Sequence, residues 1–334
     1  MFSENGSVQS YPVYPADGLR VVAGANLGDG VGLMDELDLD DIYQLRSGIS
    51  ADRLSLMARL DNSFGIAADS EAGTAGNALH LDCTLSFMSP DGSTTDILLL
   101  VEVDLDGLIV GLHLLPLVPL VAQTEYTLLK TSRESARRKF AELASVSFTR
   151  GTRITLASGA QIPIEELTVG DRVLTRDDGV QPIRWIGQNT VRATGAMAPV
   201  LIRAGALNNA GDLLVSPDHR LFVYQRSDRI GAGHSEILVT ARHLINGESV
   251  VRVEGGFVDY FQLLFDRHHI IYAEGIAAES LLLDPSTKPA VPGELLKKLA
   301  TTRHGRRDDH GIDVQKNLLD RPDAIDLLRR ASTR

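Results

Sequence analysis

Ser147-Phe148-Thr149-Arg150-Gly151-Thr152-Arg153-Ile154 opens the C-terminal part of this 334-residue chain and governs how everything after it is read. The stretch reads as the first strand of that part, with a serine at its head. Short β-prone runs then recur at 153–156, 172–174, 183–186, 200–202, 213–215 and 221–224. Turn residues separate them, among them Ser158-Gly159, Asp177-Asp178-Gly179 and Asn208-Asn209-Ala210-Gly211. Regular short strands with Gly-rich turns predict a closed or folded-over all-β unit over residues 147–284.

Immediately upstream, residues 132–144 read as a short amphipathic helix, with Ser132 as N-cap and Phe140 and Leu143 on one face. The helix ends before Ser145-Val146-Ser147, which places a domain boundary there. Further upstream, residues 79–88, 94–103, 108–115 and 121–129 read as a β-meander punctuated by Ser89-Pro90-Asp91-Gly92 and by residues 104–107. Their continuous apolar runs predict strands covered on both faces, as in a sandwich. Residues 1–72 carry 12 acidic and 4 basic side chains. The densest run, Asp35-Glu36-Leu37-Asp38-Leu39-Asp40-Asp41, lacks the glycine and distal glutamate of a calcium loop and reads as a solvated acidic segment. After residue 284 the chain is polar, with helices expected over 293–300 and 322–330 and a link at 303–311. The expected order is a β-rich, sandwich-like domain (1–131), a linker helix (132–146), an all-β domain (147–284) and a helical C-terminal extension (285–334).

The formal net charge of −11 argues against a phosphate backbone as partner. One cysteine, Cys83, excludes an intrachain disulfide, dithiol chemistry and a cysteine-based zinc site. No cofactor and no metal are expected. Residues 97–120 form the most apolar stretch, but Glu102, Asp104, Asp106, Pro116 and Pro119 interrupt it, so no transmembrane segment is expected. The N-terminus lacks the basic and apolar regions of a Sec signal, which leaves a cytoplasmic location or a non-Sec export route.

Two further pieces carry chemistry: Ser216-Pro217-Asp218-His219-Arg220, and residues 260–280, YFQLLFDRHHIIYAEGIAAES. Together with the opening stretch and with residues 163–174 and 182–187, they resemble in order and spacing a Hint module, the Hedgehog/intein autoprocessing domain. The likeness is to a bacterial Hint subgroup of alphaproteobacterial type. The resemblance implies a pseudo-twofold all-β horseshoe fold. It puts Ser147 at the nucleophile position, so that the bond to be cut is Val146–Ser147. It puts Ser216 and His219 into the family's Thr-x-x-His pattern, acting on the scissile amide. His268 fills the late Asp-x-His motif, with His269 as the alternative on counting back from Gly275. Gly151 and Gly170-Asp171 become structural turn positions.

The chemistry suits those roles. A side chain attacking the carbonyl just upstream of its own residue closes a five-membered ring, so proximity is built in. The departing nitrogen needs a proton, and a histidine such as His219 titrates near neutrality. Two departures matter. Serine stands where the family usually has cysteine, and an un-ionised hydroxyl is the weaker nucleophile. Ala277-Ala278-Glu279-Ser280 supplies no His-Asn pair, so asparagine cyclisation and full splicing are not supported. The expected function is single-turnover self-cleavage of the chain's own polypeptide, by an N-to-O acyl shift followed by hydrolysis or transfer to a small nucleophile. The alternative is a catalytically degenerate scaffold that binds or assists secretion. No G-x-S-x-G elbow surrounds Ser147, so a conventional serine hydrolase is disfavoured.

Overall fold

The structure is a computed structural model that describes residues 8–59, 64–144, 147–228, 230–283, 287–291, 296, 312–314, 316–319, 321 and 323–332. The link expected at 303–311, and the helix expected at 293–300 apart from Leu296, lie outside the described residues. The chain divides into two compact units: Met1–Leu143 with Thr194–Ala196 and Lys288–Ala290, and the remainder from Ala144. Among the described residues no helix is long and apolar enough to cross a membrane.

The first unit contains strands β1 (Val8–Pro15), β2 (Leu19–Ala23), β3 (Ile42–Leu45), β4 (Asp52–Ala58), β5 (Phe64–Ile66), β6 (Ala78–Met88), β7 (Thr94–Val103), β8 (Ile109–Pro116) and β9 (Glu125–Ser132). The order β6-β5-β4-β1-β8-β7 closes on itself, because β7 also pairs with β6, and β9, β3 and β2 continue from β6. The two-sided cover expected of this unit is therefore achieved by a sheet that closes into a six-stranded barrel. The 11-residue β6 is long enough to pair with β5, β7 and β9 at different points along its length. Helix α1 (Arg133–Ala144) is capped where expected, the Ser135 N–H donating to Ser132 Oγ at 3.3 Å. Its Phe140 is buried against the rings of Tyr11 and Phe64, so the helix packs as part of this unit. Cys83 is fully buried among apolar side chains, and burial pushes its thiol up to about 12.

The second unit is also mainly β. Its strands are β10 (Phe148–Thr149), β11 (Arg153–Thr155), β12 (Gln161–Pro163), β13 (Arg172–Leu174), β14 (Val180–Pro182), β15 (Trp185–Arg192), β16 (Val200–Ile202), β17 (Leu213–Val215), β18 (Arg220–Tyr224), β19 (Glu236–Thr240), β20 (Val250–Arg252), β21 (Phe257–Leu264), β22 (Ile270–Ala273), β23 (Ile276–Glu279) and β24 (Ile312–Asp313). One sheet runs β15-β21-β10-β17-β16-β20, a second runs β12-β11-β22-β23-β18-β19-β24, and β13 pairs with β14. Every pairing is antiparallel except β19 with β24. Gly151 and Gly170 sit at φ 86° and 100°, a region that favours glycine, at turns beside β10 and β13. The extension beyond residue 284 is partly integral to this unit. β24 adds a strand, α2 (Lys316–Leu319) and α3 (Ala324–Ser332) follow, and Val314, Leu319, Ile325 and Leu328 join the main apolar core.

Candidate functional site

Ser147 enters the second unit directly ahead of β10, and β10 lies between two partners. Phe148 pairs with Val215 of β17 on one side and with Phe261 of β21 on the other. Whatever follows Val215, and whatever neighbours Phe261, is therefore delivered to Ser147. Those residues are Ser216 and Gln262. Ser147 itself is buried, at 2% exposure. Val146, the other half of the bond expected to break, lies outside the described residues.

Ser216 holds Ser147 by two contacts. The Ser147 N–H donates to Ser216 Oγ at 3.0 Å, and the Ser216 N–H donates to the Ser147 carbonyl at 2.9 Å. The chain then turns. The His219 N–H donates to the Ser216 carbonyl at 3.0 Å, with Pro217 at the second position, where its fixed φ suits a β-turn. The turn returns His219 to the same residue. Its Nδ1 lies 3.2 Å from the Ser147 carbonyl oxygen, and its ring packs on Phe148 with centroids 4.4 Å apart. A carbonyl oxygen only accepts, so Nδ1 carries the hydrogen and Nε2 the lone pair. Nε2 is buried, and it has no hydrogen-bond partner among the described residues. Burial holds the His219 pKa down to about 3, with Arg220 adding to that effect and the bond to Ser147 opposing it. The imidazole is therefore neutral at physiological pH.

The contact with the Ser147 nitrogen is thus made by Ser216, while His219 sits on the carbonyl at the other end of the same residue. The hydroxyl of Ser147 is met by Gln262, whose Nε2 donates to Ser147 Oγ at 3.2 Å. Sequence reasoning missed Gln262. The signal available was one amide in an otherwise apolar strand stretch, Tyr260-Phe261-Gln262-Leu263-Leu264, buried at 5% exposure.

Asp218 points away into a salt bridge with Arg242 at 2.8 Å. Burial raises its pKa, and Arg242, Arg220 and Arg252 counter that rise. Arg220 pairs with the fully buried Glu279 and also meets Asp313 of β24 at 3.3 Å. His268 belongs to this ionic group, its Nε2 lying 3.4 Å from Glu279. It connects to the Ser147 cluster through Arg220, the residue after His219. His269 turns to different neighbours: its Nδ1 lies 3.3 Å from Asp178, its N–H donates to Ser280 Oγ at 2.9 Å, and its carbonyl accepts from the Ser280 N–H at 2.9 Å. The structure thus gathers Ser147, Ser216 and His219 at one point and groups His268 with Glu279.

Residues 146–285 match the Hint domain family. A variant of the Ssp DnaB mini-intein is similar in structure at 12% identity, with 42% of this chain and 97% of that chain covered and a TM-score of 0.28. A substituted gp41-1 intein is similar at 11% identity, over 40% of this chain and 98% of that one, with a TM-score of 0.26. The MchDnaB-1 intein follows at 14% identity, with the same coverage of 40% and 98% and a TM-score of 0.27. No curated protein matches the chain.

Proposed function

We propose that this chain cuts its own backbone between Val146 and Ser147 by an N-to-O acyl shift, and that the resulting ester passes to water or a small nucleophile. The Hint/intein fold supports autoprocessing in general. The observation that carries the reading for this chain is the hydrogen bond between the Ser147 nitrogen and Ser216 Oγ at 3.0 Å. That nitrogen must leave the Val146 carbonyl, and an amide nitrogen departs only when protonated.

In the shift, Ser147 Oγ forms a bond to the Val146 carbonyl carbon, and that carbon loses its bond to the Ser147 nitrogen. The hydroxyl proton finishes on the nitrogen, so no proton is gained or lost overall. Ser216 accepts from the N–H in the resting state. A hydroxyl can rotate and donate instead once the nitrogen becomes tetrahedral. His219 fixes the Ser147 carbonyl and so holds the attacking residue in register. We assign Ser147, Ser216 and His219 to the reaction, and His268 to support of the Ser216–Arg220 turn through Glu279 and Arg220. The products are residues 1–146 and 147–334. The ordered motifs fit a bacterial Hint protein of alphaproteobacterial type.

Hydroxylamine intercepts an ester and leaves a hydroxamate on the upstream fragment. Its appearance at Val146 supports the shift, and its absence under prolonged incubation contradicts it. A second reading, a scaffold without turnover, is favoured by one observation: His219 is neutral and sits on the carbonyl side of Ser147. An uncut chain in the parent and in Ser147→Cys alike would select that reading, whereas rapid cleavage by Ser147→Cys beside an inert parent would show a competent site disabled only at its nucleophile.

A further inference from the structure

The geometry points to Gln262 as a catalytic residue, acting as the amide donor on Ser147 Oγ in both halves of the reaction, with Gly187 as the residue that makes room for it. The inference rests on the self-cleavage proposed above. Gln262 Nε2 lies 3.2 Å from Ser147 Oγ. β15 and β21 pair so that Gln262 stands opposite Gly187. A Cβ placed on Gly187 would lie 2.5 Å from Gln262 Oε1 and 2.3 Å from the Trp185 ring. No side chain fits there while the amide keeps its position. The glycine has an ordinary strand conformation, so the requirement is one of space.

Oγ is used twice. In the shift it is the nucleophile: its proton is removed and a bond to carbon forms. In ester cleavage it is the leaving group: the bond from carbon to Oγ breaks, water supplies the new oxygen on the acyl carbon, and a proton from that water returns to Oγ. Oγ is more negative in both transition states than in the neutral hydroxyl or ester from which each starts, first because it gives up its proton to attack and then because it departs with the bonding pair. A fixed N–H donor in a site only 2% exposed stabilises that charge where water cannot. A serine oxygen needs this help more than a cysteine sulfur, because a thiol ionises far more readily and accepts hydrogen bonds weakly.

That contrast supplies the test. Gln262→Met keeps the side-chain volume and removes the donor. Cleavage rates are compared in four full-length proteins: the parent, Gln262→Met, Ser147→Cys and the double variant. Removing a donor from a developing oxyanion slows a reaction by about tenfold or more, so at least that loss is expected in the serine background. In the cysteine background a loss under about threefold is expected, because sulfur is the weaker acceptor. Thermal unfolding of the four proteins separates a folding defect from a chemical one. Equal losses in both backgrounds would overturn the role of Gln262 while leaving self-cleavage in place. No cleavage in the parent, whatever Ser147→Cys does, would overturn self-cleavage itself, and this assignment with it.

Discussion

Ser147 and Ser216 are bound to each other twice, the Ser147 N–H donating to Ser216 Oγ at 3.0 Å and the Ser216 N–H donating to the Ser147 carbonyl at 2.9 Å. The first bond uses a side chain and the second only backbone. Substitution at 216 therefore removes one and spares the other. Ser216→Ala should cost about 1–3 kcal/mol, because it withdraws the acceptor from a buried N–H. It should also slow cleavage, since the nitrogen loses its hydroxyl neighbour. Ser216→Thr should keep both properties close to the parent's. Urea unfolding and a gel-based cleavage time course read the two effects separately.

His219 carries a pH signature. Burial holds its pKa at about 3, against 6.5 for an unhindered imidazole. As pH falls from about 6.5 towards about 3, the unfolded chain takes up a proton that the folded chain refuses, so stability falls. Above that window the contribution is constant. The raised pKa of Asp218 acts in the opposite sense, since the folded chain there keeps a proton that the unfolded chain releases. Asp218 is retained in His219→Asn, so the difference between the two proteins reports His219. The variant should lose stability less steeply than the parent across this window. Parallel slopes in chemical unfolding would show that His219 is not held neutral.

Gly187→Ala tests the space beside Gln262. The added methyl must displace the Gln262 amide or the Trp185 ring. Cleavage should slow in step with Gln262→Met, and combining the two should add little, because both remove the same contact. Additive losses would separate Gly187 from Gln262.

Leu328→Ala probes the C-terminal segment. Leu328 is fully buried in the core of the second unit, on α3. A loss of about 2–5 kcal/mol is expected for such a truncation. A change under about 0.5 kcal/mol, as at a surface position, would mean that the segment does not belong to that core.

The parts of the fold visible in the sequence are those that bury continuous apolar runs between clear turns. β6, β7 and β8 are of this kind, and the sequence places them within one residue of their observed bounds. β1 to β5 are not visible in it. Pro12 argues against a strand, yet it is tolerated because β1 pairs with β8 only at Tyr14 and Pro15, which leaves one edge of β1 unpaired at Pro12. Acidic loop residues dilute the remaining pattern there. β24 is two residues long and shows no periodicity. At the site, the spacing Ser216-Pro217-Asp218-His219 is a sequence signal because a turn carries it. Gln262 and Gly187 are 75 positions apart and are related only through the register of β15 on β21. The choice of His219 between the nitrogen and the carbonyl of Ser147 depends on the turn's atomic geometry, which residue types alone do not specify.

The intact mass of the purified full-length protein after prolonged incubation, with and without hydroxylamine, tests the central claim most directly. The account predicts two fragments that meet between Val146 and Ser147, hydroxamate on the upstream one when hydroxylamine is present, and an uncut chain for Ser147→Ala. A single uncut mass in the parent, with and without hydroxylamine, would contradict it.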